Sequence, residues 1–158
     1  MAGVTRVEWG PVLEAVEAAQ RGDGAAARAA LERRWVESGT DEHAVRCVVA
    51  HYLADLQDDL DAEIAWDERA LESLPHVRDE DVAGLGITSA AGFAPSLHLN
   101  LGDGYLRRGD VDRARQHLDA GTRTLEVLGD DPYGVMIRRG FERLATRIES
   151  PDALPRRR

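Results

Sequence analysis

The chain has 158 residues, 43% of them hydrophobic, and a formal net charge of −9. That length supports one domain with a real core, and the composition is globular, not disordered. No apolar run is long enough for a membrane span, and Cys47, the single cysteine, excludes an intrachain disulfide.

Residues 1–7 read as a loose arm. Pro11 suits the first turn of a helix, where its missing N–H does no harm. Leu13, Val16 and Ala19 or Gln20 follow at helical spacing, and Gly22-Asp23-Gly24 makes a turn. Ala27, Leu31 and Trp35 then form an i, i+4, i+8 stripe that completes a first hairpin over 10–38. Gly39, with Thr40 or Asp41 as N-cap, opens a second hairpin over 41–73. Its first helix is apolar nearly all round, through Val45, Val48, Val49, Tyr52, Leu53 and Leu56, which marks a central helix. Asp58-Asp59 is the turn, and Ile64, Ala65, Trp66 and Leu71 belong to the second helix.

The turn acids Asp23 and Asp59 are 36 residues apart, but Asp59 and Asp110 are 51 apart. About 17 extra residues therefore fall between the second and third hairpins. They lie in 74–94, a loop rich in Gly84, Gly86 and Gly92, with one short helical turn over 79–83. A long loop of this kind is more often functional than ornamental.

The third hairpin covers 95–128. Leu97, Leu101 and Tyr105 recur every four residues on one helix face. Gly109 ends that helix, Asp110 caps the next, and Ala114 and Leu118 continue the apolar stripe. Asp131-Pro132 then opens a last helix over 132–149, with Ile137, Phe141, Leu144 and Ile148 on one face. Arg138, Arg139, Arg143 and Arg147 lie on its other faces. Ser150-Pro151 stops it, and 151–158 is an Arg-rich, flexible tail.

Leu101, Gly102, Tyr105, Gly109, Ala114 and Leu118 stand where the tetratricopeptide repeat (TPR) signature has its Leu-Gly pair, aromatic, turn Gly, small residue and large apolar residue. This stretch, about a fifth of the chain, resembles one TPR. His98 replaces the signature's opening Trp, and Gly121 its late Ala. The resemblance implies an all-α fold: a short TPR-like solenoid of three antiparallel helix hairpins. The last helix caps the exposed end of the stack. A helical bundle without superhelical stacking is the alternative.

Charge is unevenly placed. Residues 55–81 hold eleven acids and two Arg, while 133–158 hold seven Arg and three acids. Nucleic-acid binding is disfavoured, because phosphates need a basic stripe on the folded surface. Every basic residue except histidine is Arg, which excludes Schiff-base and P-loop lysine chemistry. The Gly-rich, Ser-nucleophile and His-Glu-x-x-His motifs are also missing. With no apolar leader in the first residues and one cysteine, the expected location is the cytoplasm, away from membranes.

His43, Cys47 and His51, at i, i+4 and i+8, are the sharpest metal pattern, set against plain core packing. Asp58, Asp59 and Asp61 lack the Gly and Glu of a calcium loop and read as caps. His98 and Asn100 are polar residues amid SLHLNL. With His51 and Asp55 they suggest a polar cluster under the 74–94 loop, either a structural network or a site for a small molecule or metal. TPR first helices line a concave groove. The resemblance therefore makes Tyr52, Asp55, Ser96, Leu99, Asp103, Leu106 and Arg107 groove candidates, against the reading of a solvated face with a weak Asp103–Arg107 ion pair. The expected function is non-catalytic, without a cofactor. A groove would hold a protein or peptide partner, basic in keeping with the acidic tract, and short solenoids of this kind also pair as homo-oligomers.

Overall fold

The computed structural model describes residues 6–150. The expected arm lies mostly, and the tail wholly, outside those residues. Among the described residues every regular element is helical, so the fold is all-α. The chain divides into two compact units at Ala90/Ala91.

The first unit holds α1 (Gly10–Gln20), α2 (Gly24–Glu37), α3 (His43–Asp55) and α4 (Leu60–Ser73). Three of the four starts have a local cause, whereas α3 starts after Glu42, without a side-chain cap and later than the expected Thr40 or Asp41. Pro11 occupies the first turn of α1. The Asp23 carboxylate accepts from Ala26 N at 3.2 Å, and Asp59 accepts from Ala62 N at 2.9 Å. Gly22 closes the first turn in the left-handed region at φ 88, which L side chains avoid. Neighbours in sequence pack as neighbours in space: α2 lies against α1 and α3, and α3 against α4. α3 is the core element, with eight of its thirteen residues buried. Val12, Ala27, Leu31, Val45, Val49, Leu53 and Ile64 fill the space around it.

The 74–94 segment is folded. A 3₁₀ turn over Leu74–His76 leads to α5 (Asp79–Val82) and two further 3₁₀ turns, Ala83–Leu85 and Ala90–Gly92. One long-range and one internal tie hold it. Trp9 Nε1 donates to Asp81 O at 3.1 Å, and Asp79 Oδ1 accepts from Ala90 N at 2.8 Å. Trp9 is buried, and Gly84 has no Cβ because the indole occupies that place, 2.8 Å away.

The second unit holds α6 (Phe93–Arg108), α7 (Val111–Thr122) and α8 (Pro132–Glu149). α6 starts two residues before the expected 95, because Pro95 sits in the first turn and forfeits no intrahelical bond there. Gly109 ends it at φ 88, and Asp110 caps α7 through Arg113 N at 3.1 Å. Asp131 caps α8 through Gly134 N at 3.0 Å.

α8 packs on both α6 and α7. The contact is built from glycine notches. The Leu99 side chain of α6 fills the place where Gly140 of α8 would carry a Cβ, and Leu144 of α8 does the same at Gly102 of α6. Phe141 fills the corresponding place at Gly121 of α7. Ile137, Phe141, Leu144 and Ile148 are all buried. No single helix among the described residues is long and apolar enough to cross a membrane.

Candidate functional site

Tyr52 and Asp55 come together on the last turn of α3. With Leu56 they face Ala15, Val16, Ala19 and Gln20 of α1 and Leu31 of α2 across a hollow of about 270 Å³. The walls are mostly apolar. Tyr52 is 37% exposed, a large side chain left partly uncovered. Much of Asp55 faces solvent, yet desolvation at the hollow holds its carboxyl above the ordinary range, opposed by His51 and reinforced by Glu63.

The groove candidates on α6 have closer neighbours. Ser96 is buried and its hydroxyl donates to Phe93 O at 3.1 Å. Leu106 is buried. Leu99 fills the Gly140 notch, and Asp103 accepts from Arg107 Nε at 2.8 Å and from the Arg147 guanidinium of α8. Leu99 and Asp103 thus face α8.

The histidine candidates each have a partner within their own unit. His51 Nδ1 lies 3.0 Å from Asp67 Oδ1 of α4, whose carboxylate is 2% exposed. His98 Nδ1 lies 3.1 Å from His117 Nδ1 of α7. Burial, then the charge of His117, then that of Arg123 push His98 down to about 4. Asn100 is half-buried on α6. Cys47 is buried, and desolvation followed by the Asp67 charge pushes its thiol up to about 12. His43 lies against His76, ring centroids 4.5 Å apart. The three members of the His43, Cys47, His51 row therefore have separate surroundings. Among the described residues no group of three or more His, Cys, Asp or Glu is placed to hold a metal.

A second hollow of the first unit, about 350 Å³, was not anticipated. Trp35 of α2, His43 and Arg46 of α3, Arg69 and Glu72 of α4, and His76 line it, with Thr40 and Ser73 at its edges. Trp35 and Trp66 meet edge to face at 5.0 Å. The Arg46 guanidinium lies 3.8 Å over the Trp35 ring, and that of Arg69 lies 4.4 Å over Trp66. A sequence signal did exist. His43 and Arg46, and likewise Trp66 and Arg69, are spaced i, i+3 on single helix faces. Nothing local says that the two faces meet.

No known protein family, curated protein or solved structure matches the chain.

Proposed function

We propose that the protein is a non-catalytic binding scaffold, a short TPR-like solenoid that holds a peptide or the helix of a partner protein. The observation that carries this reading is the apolar hollow between α1 and α3, with Tyr52 part-exposed in its wall and Asp55 at its edge. A space of about 270 Å³ suits one or two side chains, not an enclosed metabolite. Asp55 offers a carboxylate to a basic residue beside the inserted apolar one. The acidic tract that begins at Asp55 adds long-range attraction for a basic partner. Helix-in-groove recognition uses anchors at i, i+3 or i+4, and that spacing defines the partner class.

The test is a screen of helix-forming peptides that pair an apolar residue with Arg or Lys at i, i+3 and i, i+4. Binding with Kd of about 1–100 μM is expected, weakening as salt rises. Tyr52→Ala and Asp55→Asn should each weaken it about tenfold. A screen without binders, or binders indifferent to both substitutions, would overturn the proposal.

A further inference from the structure

We infer that the hollow bounded by Trp35, His43, Arg46, Arg69 and His76 is an anion site for a small organic phosphate monoester. This goes beyond the scaffold reading and involves none of its groove residues.

Two arginines carry the argument. In a strongly acidic chain, arginines at helix surfaces usually find carboxylates, and several here do: Arg28 with Glu32, Arg34 with Glu42, Arg78 with Asp81. Among the described residues neither Arg46 nor Arg69 has a carboxylate within ion-pair distance, and the charge of Arg46 acts on Glu42 only from farther off. Arg46 donates to the Ser38 hydroxyl at 3.2 Å and otherwise lies over the Trp35 ring at 3.8 Å. Arg69 lies over Trp66, with Trp35 farther off at 6.0 Å. A guanidinium stacked by its face on an indole keeps its N–H edge available in the ring plane. Contact with the rings restricts the side chains, so part of the entropy of presenting those donors is lost in folding. The two forks come from different helices, α3 and α4, and border the same hollow.

The rest of the lining fits an oxyanion. His43 and His76 bring two imidazoles side by side, and the Thr40 hydroxyl stands at the edge. His43 is the first residue of α3, a helix of thirteen residues, so the positive end of that helix borders the hollow as well. Glu72 is the opposing charge in the lining. It is exposed and makes no ion pair with either arginine.

Phosphate is favoured over carboxylate by donor count. A carboxylate is satisfied by one guanidinium fork, whereas a phosphate monoester has three terminal oxygens and up to two charges to distribute over both. The volume, about 350 Å³, exceeds the phosphate and leaves room for a compact organic group. The faces of Trp35 and Trp66 are already engaged by arginine. The organic group is therefore expected against the rim, not stacked between the indoles.

Trp35 and Trp66 are two of only three tryptophans, so intrinsic fluorescence reports directly on the site. The probe is phenyl phosphate titrated into the full-length protein at constant ionic strength, with sodium chloride as the salt control. Saturable change with a midpoint below about 1 mM is expected. Arg46→Gln and Arg69→Gln should each weaken binding about tenfold, because each removes charge-assisted hydrogen bonds. Arg33→Gln, an exposed position on α2, should leave the titration unchanged. Circular dichroism melts establish that each variant is folded. Arg69 is exposed, so its substitution tests the site even where Arg46→Gln disturbs packing. A non-saturating response, an equal response to chloride, or equal weakening by Arg33→Gln overturns the inference. So does binding of a phosphorylated peptide without binding of phenyl phosphate, which would assign the site to a macromolecule.

Discussion

The Nδ1 atoms of His98 and His117 face each other at 3.1 Å, so one ring donates its proton to the other and the two are not both charged. His117 in turn stacks parallel to Tyr105, ring centroids 5.5 Å apart. Burial first, and then the charges of His117 and Arg123, make the folded protein resist protonating His98. Its folded value is about 4, against 6.5 for an ordinary histidine. The unfolded chain therefore binds a proton at higher pH than the folded one. This contribution to stability is complete above pH 6.5, falls as the pH drops, and is gone below about 4. Thermal melts across that window should show a decline that is shallower in His98→Gln. Equal slopes would show that His98 takes its proton as readily in the folded state.

Asp67 is a buried carboxylate with His51 as partner. Asp67→Ala strips His51 of that partner and should cost about 3 kcal/mol. Asp67→Asn keeps the shape and one acceptor oxygen and should cost about 1 kcal/mol. Urea unfolding at unchanged m-value measures both. Equal costs would mean that the shape and the acceptor oxygen kept by Asn contribute nothing and that the lost charge accounts for the whole effect.

Cys47 should be chemically silent in the folded protein. Its thiol is buried and held at about 12, so almost no thiolate exists at neutral pH. A disulfide-exchange reagent should label it only as fast as the first unit opens, and immediately in denaturant. Rapid labelling of the native protein would contradict the placement of α3 at the core.

Gly121→Ala and Gly140→Ala should destabilise by about 1–3 kcal/mol, although alanine is the better helix former. At each position the new Cβ would land on a packed side chain: Phe141 Cζ and His98 Cβ at 121, Leu99 Cδ2 at 140. Gly24→Ala is the control, because its Cβ would meet only Leu56 Cδ2 at 3.8 Å, an ordinary contact. Gly109→Ala should lose about 1–2 kcal/mol for a different reason, the left-handed backbone at φ 88. Urea midpoints should therefore fall for Gly109, Gly121 and Gly140 and hold for Gly24.

Four helix starts were legible because capping is local, but that of α3, which has no side-chain cap, was not. Asp23, Asp59, Asp110 and Asp131 each accept a backbone N–H three residues on, and a single sequence displays that chemistry. The central role of α3 was legible from apolar residues on most of its faces. The fold of 74–94 was not, beyond its short helix. Its anchor is Trp9, 72 residues from Asp81, and no periodicity reports such a contact. For the site, the TPR resemblance singled out Tyr52 and Asp55, which helical spacing sets on one turn. It also singled out Leu99 and Asp103 of α6, but it could not say that α8 covers them. The covering helix announces itself through Gly140, where the informative feature is a missing side chain. The Trp35–Arg46–Arg69 cluster gathers three helices; in sequence Trp35 reads as the end of an apolar stripe and the two arginines as ordinary surface.

The paired notches at Gly140 and Gly102 also determine where the second unit tolerates a change of length. Each leucine enters the partner helix at one level only, and one added residue turns everything beyond it by about 100°. An insertion within 129–131, before α8 begins, leaves both notches opposite their leucines and should be absorbed by the connection. The same insertion between Gly140 and Leu144 keeps one notch only by misaligning the other. Length variation in this protein therefore belongs to its connections, and α8 behaves as a key cut for a single depth.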